Sequence, residues 1–585
     1  MPKSGGDRDI ESKRHTLAHL LAAAVLEKFP KAKLGMGPAV EDGFYYDFDL
    51  KESITPQDLP KLEKRMRQLI RDGLETKGEK VSSAKAKTLF KDQPYKLELI
   101  KDFSKDKKQL TVYKTGEVFK DLCRGGHTKK TSEINPEAFR LTRLAGAYWK
   151  GDEKNKQLQR VYGVAFETKK ELEGYLEAQE EAKRRDHRRL GQELDLFTFS
   201  DMVGAGLPLF TPKGTVIRNE LQKALLEISS KYDMLPTTIP HIAKRVLYET
   251  SGHADKFGDE LIDVKSHYDE FVMKPVNCPH HTQIYASRPR SYRDLPLRYM
   301  ESTMQYRDEK PGEISGLTRV RAITVDDGHI FCRVDQIEEE AKNIAKIIEE
   351  FYKGVGLWGD HWVSLSVRDP KNKKGYIGSD QDWDKAEKML AKISKDLKLD
   401  TKRIEGEAAI YGPKLDYMFK DSLGREFQLA TIQIDFAMPG RFKLTYTDEK
   451  GKEVTPVIIH RAILGSYERF MAILIEHFAG AFPTWLSPVQ VRVLAVSEKF
   501  QGYAKEIAKS LKEANIRTEL TEADETLGKR IRESETSKVP YTIIVGEKEK
   551  KNKEISVRER GKGDIGSKKF STFLKSLRTE IDKRQ

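Results

Sequence analysis

Residues 425–459 read REFQLATIQIDFAMPGRFKLTYTDEKGKEVTPVII. Stretches 425–436 and 454–459 are dense in the branched and aromatic residues that suit a pleated surface. Between them Pro439, Gly440 and Gly451 mark turns, and nothing there has the pattern of a crossover helix, so the two stretches predict antiparallel neighbours. The pattern continues on the amino-terminal side with a strand-like run at 362–368 and helical runs at 334–352 and 383–397, and on the other side with a helical run at 466–478. Residues 191–486 therefore predict an antiparallel sheet packed with helices.

The rest of the chain divides around this block. After Pro488 the pattern alternates: strand 489–496, helix 499–514, strand 516–520, helix 525–537, strands 541–545 and 554–558, and a last helix, an α/β domain over 487–585. The first 166 residues mix helix 59–71 with strand 159–166 and predict an α+β domain. Residues 167–190, ETKKELEGYLEAQEEAKRRDHRRL, carry opposite charges four apart and too few apolar positions for a buried face, which predicts one exposed linker helix. The fold class is multidomain α+β, and 585 residues, at about 100–200 per domain, agree with three or four folded parts.

Composition narrows the function. Hydrophobic residues make up 38% and a further 41 are glycine, enough to build cores, which excludes a disordered chain. Lys and Arg number 105 against 92 Asp and Glu, and the net +13 has the sign that suits a polyanion such as nucleic acid. Three cysteines, Cys123, Cys278 and Cys332, exclude a disulfide framework and point to a reducing compartment. No secretory leader and no run near the ~18 apolar residues of a membrane span occur, so a soluble, cytoplasmic protein with no membrane partner is expected.

Several constellations can carry chemistry. RHTLAHLL puts His15 and His19 four apart, on one face of a helix, and DLCRGGH adds Cys123 and His127 around a glycine pair. Together they suit either a zinc site or a hydrolytic pocket that holds water, and spacing does not choose between them. In KPVNCPHHTQIY, DDGHIFC and IIHRAILGSYERF, residues Cys278, His329 and His460 form a three-ligand set that would leave zinc one open position. Cys332 is assigned to packing. Arg307, Arg319 and Arg321 lie in the turn-rich stretch MQYRDEKPGEISGLTRVR, read as a loop between strands, and Arg469 follows the Gly465 turn; such guanidinium groups clamp phosphates and carboxylates.

In order along the chain, RHTLAHLL, GFYYDFDL, DLCRGGH, AGAYWKGD, KPVNCP, SYRDLPLR, GLTRVRAIT, DDGHIFC, YGPKLDY, HRAILGSYERF and VPYTIIVG closely resemble the threonyl-tRNA synthetases, a family of class II aminoacyl-tRNA synthetases. The resemblance spans nearly the whole chain. It implies an editing domain at 1–166, a linker at 167–190, a class II catalytic domain at 191–486 and an anticodon-binding domain at 487–585. The implied activity is ATP-dependent conversion of L-threonine to threonyl-adenylate, with Mg2+ accompanying ATP, and transfer to threonine tRNA. By the same resemblance Pro240 lies in the motif that builds a homodimer. Arg307 bridges the amino-acid carboxylate and the α-phosphate, Glu309 contacts adenine, Arg319 meets the outer phosphates and Arg469 contacts ATP. Cys278, His329 and His460 hold one zinc per subunit, Asp327 holds the threonine hydroxyl, and Tyr411 and Gln433 line the pocket.

Zinc with three protein ligands can accept both the amino and hydroxyl groups of threonine, whereas valine leaves polar groups unpaired. Serine lacks only a methyl, worth about 1–3 kcal/mol or roughly 10–200-fold, so hydrolysis of seryl-tRNA is needed. The resemblance assigns that editing to His15, His19, Asp121, Cys123 and His127, without a tightly held metal. It assigns anticodon reading to Glu549 and Arg558, and Lys529, Arg530 and Arg532 are candidates for phosphate contact.

Departures from the family pattern are Ile323 where an adenine-stacking Phe is common, Val325 in place of a Gln, His280 in place of a Gly, and Asp524 in place of an Asn. The small amino-terminal domain of many members is expected to be absent. A synthetase-like RNA-binding or regulatory protein without aminoacylation is the rival reading, supported by Ile323 and Val325 and opposed by Arg307, Arg469 and the complete Cys/His triad. A synthetase for another small amino acid is opposed by Asp327 beside that triad.

Overall fold

The computed structural model describes residues 5–106 and 108–584, with side chains described from Asp9 onward. The chain divides between Glu181 and Ala182 into two compact units.

In the first unit the helix Gly5–Lys28 buries the run Leu17–Val25 against the helix Leu59–Arg71 and the strand Gly43–Asp49. Helix Leu59–Arg71 falls where its apolar spacing predicts, with Leu62, Met66 and Leu69 inward. The sheet beneath orders Lys33–Leu34, Gly43–Asp49, Gln157–Ala165 and Phe139–Tyr148, all antiparallel. A second, three-stranded sheet of Thr76–Val81, Leu110–Thr115 and Phe119–Leu122 has its own core around Val112, Ile100 and Trp149. The α+β reading of this region holds.

The expected single linker helix is two. Helix Lys169–Arg185 ends at Asp186, whose ψ of 120° is not helical and whose carboxylate accepts the Arg188 amide to start the helix His187–Glu193. The charge pattern predicted exposure throughout, but His187, Leu190 and Gly191 are buried in the second unit. A lone histidine among charges gives no apolar signal, yet this one has buried hydrogen-bond partners.

The second unit is built on an eight-stranded sheet in the order Leu235–Pro236, Leu297–Tyr306, Ala322–Cys332, Val457–Ala462, Glu426–Asp435, Lys414–Lys420, His361–Val367 and Thr401–Glu405. Only the two edge pairings are parallel. Glu426–Asp435 and Val457–Ala462 are antiparallel neighbours, as residues 425–459 predict. The second strand starts at Val457 rather than 454 because Pro456 has no N–H to donate; Glu453–Val454 instead pairs with Tyr446–Thr447 in a separate ribbon. Helices Ile337–Gly354, Asp380–Asp396 and Tyr467–His477 cover the sheet, with Ile348, Leu390 and Leu474 packed in one core with Ile432 and Ile459. Cys332 lies in that core, as packing required.

The carboxy-terminal sheet orders Thr518–Thr521, Val491–Ala495, Tyr541–Val545, Glu554–Glu559 and Gly563–Lys569, the first three parallel and the rest antiparallel. Its last strand was unexpected, since GDIGSKK carries two glycines and one apolar residue and pairs at an edge where burial is not needed. This domain has its own core but stays in the second unit: Arg517 pairs with Glu220 at 2.8 Å and Arg560 donates to the Phe482 carbonyl at 2.6 Å.

Candidate functional site

The register of three central strands assembles the first site. His329 on Ala322–Cys332 sits directly opposite His460 on Val457–Ala462, and Gln433 on the next strand is opposite His460 in turn. Because side chains alternate along a strand, Ile323, Val325, Asp327 and His329 share one face, while Thr324 and Asp326 are buried on the other. Cys278 opens the helix Cys278–Ala286, and its Sγ and one nitrogen from each of His329 and His460 all lie within 4.8 Å of one another. The Tyr411 ring lies 4.7 Å from that of His460, tilted by 36°, and the Gln433 amide points toward the Gly412 carbonyl at 3.4 Å.

The partners of the two imidazoles choose their free nitrogens. His460 Nε2 is 3.1 Å from Asp435 Oδ2, which leaves Nδ1 toward the triad. His329 Nδ1 is 2.7 Å from His281 Nδ1, which leaves Nε2. Histidines that bind metal are usually fixed through their other nitrogen in this way. Burial lowers the His329 imidazole pKa well below its ordinary value and raises that of the Cys278 thiol. One sulfur and two imidazole nitrogens, buried and converging, fit zinc with a position open for substrate. Asn277 Nδ2 donates to Asp327 Oδ2 at 3.2 Å, and its own Oδ1 is buried without a partner. His281, Asp435 and Asn277 escaped the sequence reading. His281 had a signal, standing three residues after Cys278 on the same helix face; Asp435 and Asn277 had none without the register.

The arginines gather beside this pocket. Arg307 follows the end of strand Leu297–Tyr306, lies 4.9 Å from the Phe257 ring, and has a buried Nε with no partner. Burial lowers its pKa, and Arg469 acts the same way, while Glu260 and Glu309 oppose them. Arg469, on the first turn of Tyr467–His477, donates to the Thr318 carbonyl at 3.2 Å. Arg319 pairs with Glu309 at 2.8 Å and Glu313 at 2.7 Å. Arg321 instead donates to the Glu309 carbonyl, so it braces the loop. The stretch between Tyr306 and Ala322 is the inter-strand loop the sequence predicts. His280 is buried with neither ring nitrogen partnered, and burial pulls its pKa down to about 4.

The second site lies in the first unit. His15 and His19 project from one face of Gly5–Lys28, and Cys123 and His127 come from the loop after Phe119–Leu122, where Gly125 and Gly126 take φ of 104° and 84°. Cys123 Sγ is 3.2 Å from His127 Nε2 and 3.5 Å from His15 Nε2. His15, His19, Asp121 and Cys123 line a cavity of about 720 Å3. Asp121 is buried, ion-paired with the equally buried Lys96 at 2.6 Å, and accepts a hydrogen bond from the Tyr46 hydroxyl. Lys96 and Tyr46 were not singled out, although a lysine facing inward in PYKLELI needs a buried carboxylate. Burial holds the His127 pKa at about 2, lowers those of His15 and His19, and pushes the Cys123 thiol up to about 11. All four groups are therefore neutral near pH 7.

In the carboxy-terminal domain, Arg558 pairs with Glu535 at 3.3 Å, and Glu549 Oε2 accepts the Gly546 amide at 2.9 Å. Asp524 is exposed. Of the phosphate candidates, Lys529 pairs with Glu525, and Arg530 is only 2% exposed and bonded to the Glu525 carbonyl, which removes it from that role.

Family profiles match this arrangement part by part: the tRNA synthetase class II core domain (G, H, P, S and T) at residues 261–478, an anticodon binding domain at 490–580, and the threonyl and alanyl tRNA synthetase second additional domain at 110–162. The chain is 47% identical over 581 residues to a threonine–tRNA ligase of Gloeobacter violaceus, covering 98% of this chain and 92% of that one. It is 44% identical to one of Oceanobacillus iheyensis, covering 98% and 89%. Among solved structures, the RNA binding domain of threonyl-tRNA synthetase from Cryptosporidium parvum superimposes with a TM-score of 0.65 at 34% identity, over 68% of this chain and 98% of that one. With fold and sequence matches in agreement, the latter over nearly its full length, the chain belongs to the threonine–tRNA ligase family of class II aminoacyl-tRNA synthetases.

Proposed function

We infer that the chain activates L-threonine with ATP, transfers it to threonine tRNA, and hydrolyses seryl-tRNA made in error, working as a cytoplasmic homodimer. The observation that carries this reading is the convergence of Arg307 and Arg469 with Cys278, His329 and His460 on one face of the antiparallel sheet. Arg307 would span the threonine carboxylate and the α-phosphate, and Arg469 would act from the helix Tyr467–His477, so charge that builds at phosphorus would meet fixed cations. Mg2+ would neutralise the ATP phosphates. Zinc held by Cys278 Sγ, His329 Nε2 and His460 Nδ1 would supply a Lewis-acid site that selects for amino and hydroxyl groups. Asp327, which accepts a hydrogen bond from Asn277, would accept one from the threonine hydroxyl. ATP–pyrophosphate exchange with threonine, serine, valine and proline tests the reading: threonine should drive it best, and a response to proline or serine but not threonine would overturn it.

Dimerisation is favoured by apolar side chains left on the surface of the segment that carries Pro240. Leu235 is 53% exposed, Ile242 37% and Val246 58%. Patches of this kind mark interaction surfaces. No helix among the described residues is long and apolar enough to cross a membrane.

For editing, Cys123, His15 and His19 line the cavity, with His127 against Cys123, as neutral donors and acceptors that would hold a water beside a seryl ester. Replacing Cys123 and His127 together by Ala should leave threonylation within about twofold and slow seryl-tRNA hydrolysis by 10²-fold or more, in the range of a lost general acid–base group. Unchanged hydrolysis would remove the site. The depressed imidazole pKa values add a pH expectation. His127, with its pKa held at about 2, and His19, held well below the ordinary value, stay neutral as pH falls through 6.5, so neither should give hydrolysis an inflection near 6.5. A pH–rate profile of seryl-tRNA deacylation checks it.

A further inference from the structure

We infer that His187, which begins the helix His187–Glu193, is a positioning residue for the ATP-binding loop, its imidazole gripping the backbone of the turn that carries Arg319. The inference rests on the assignment of that loop to ATP in the proposed function.

The contacts run through four segments of the second unit. His187 Nε2 receives the Leu317 amide at 3.1 Å, and His187 Nδ1 lies 2.6 Å from Glu476 Oε1, near the end of the Tyr467–His477 helix. Glu476 also accepts the His187 amide and binds Arg425, whose guanidinium continues to Asp421. Because Leu317 can only donate, Nε2 must carry the lone pair, so the proton sits on Nδ1 and points at Glu476. Burial raises the Glu476 pKa, but the hydrogen bonds from His187 and Arg425 outweigh it and keep the carboxylate ionised. The imidazole is thus fixed in one tautomer and one orientation.

The loop is shaped to meet it. Gly316 takes φ +47°, and a Cβ there would lie 2.3 Å from His187 Nε2, so both backbone and space demand glycine. Ser315 and Arg319 pair across the turn, and on its other side Arg469 holds the Thr318 carbonyl. His187 and Arg469 therefore hold adjacent residues of one turn, the first from the helix His187–Glu193 and the second from the helix Tyr467–His477. Leu317 is fully buried, which makes an unpaired amide there costly. Asp186, His187 and Glu476 also bring metal-type ligand atoms within 4.8 Å, but Arg188 binds Asp186, Arg425 binds Glu476, and both ring nitrogens of His187 are in use. The cluster is a clamp, not a metal site.

His187→Asn keeps a donor near the Nδ1 position and deletes the acceptor at Nε2; His187→Gln can place an amide oxygen near Nε2. In ATP–pyrophosphate exchange, H187N should raise the ATP KM about three- to tenfold, the size of one lost buried hydrogen bond, while the threonine KM stays within about twofold. H187Q should recover most of the change. A merely structural role would lower the active-site fraction or the melting temperature and leave the ATP KM alone. An unchanged ATP KM in folded H187N would overturn the inference, as would failure of H187Q to rescue a raised KM. Hydrogen–deuterium exchange of the wild-type peptide over residues 314–321 decides the matter if the variants do not fold: protection at Leu317 supports the clamp, and free exchange overturns it. If the wild type shows no threonine-dependent exchange, the functional reading fails, while the Leu317 measurement still tests the grip.

Discussion

Arg307→Gln should cut kcat/KM for threonine-dependent ATP–pyrophosphate exchange by at least about 10²–10³-fold, the loss that follows removal of one preorganised donor from a developing charge. Three observations give the expectation its size. Arg307 Nε is buried without a protein partner, its guanidinium is positioned by the Phe257 ring rather than consumed by an ion pair, and like charge from Arg469 reaches it. A cation kept in that state is available to a substrate anion and is already desolvated when the anion arrives. Lysine should not rescue, because a point charge cannot span carboxylate and phosphate as a planar fork can. Hydrolysis of seryl-tRNA, assigned to groups in the other compact unit, should survive in the same protein, which separates lost chemistry from lost folding. Exchange within tenfold of wild type would remove Arg307 from the reacting centre.

How far the sequence reached can be judged from single residues. The strand pairing around Gln433 and His460 was legible because period-two patterning and the turn signals at Pro439 and Gly451 are local. The start of the second strand was missed by three residues, since the effect of Pro456 depends on which neighbour needs its hydrogen bond. Cys278, His329 and His460 could be grouped from their chemistry, but their long spacings gave the set little specificity before the family resemblance, and register explains why: His329 and His460 are direct cross-strand partners although 131 residues apart in the chain. Their supporting groups, His281, Asp435 and Asn277, stayed hidden because they act through hydrogen bonds. The same holds for Lys96 and Tyr46 around Asp121. His187 falls in the segment that charge spacing reads as one exposed helix, and its burial follows from Glu476, a partner 289 residues away.

Cys278→Ala should abolish the stoichiometric metal. The purified chain should contain one zinc ion per subunit and the variant close to none, measured by elemental analysis before any assay of activity. The thiol is 4% exposed, and burial raises its pKa well above the usual range, so in metal-free protein it holds its proton. A cation that binds there must displace that proton, and affinity for zinc should therefore rise with pH and fall on acidification. The sign follows from the thiolate being the ligand: below the thiol's raised pKa, each bound zinc releases one proton. His329 adds no such proton step near neutral pH, because burial keeps its imidazole unprotonated there. Loss of the metal should raise the threonine KM by more than 10²-fold and erase most of the preference for threonine over valine, because that preference depends on a group that the hydroxyl can satisfy and a methyl cannot. Serine should suffer as much as threonine, since both offer the same two ligating groups. Wild-type protein that activates threonine at full rate without zinc would refute the assignment. A variant that keeps its zinc would show that the thiolate is not needed to hold it.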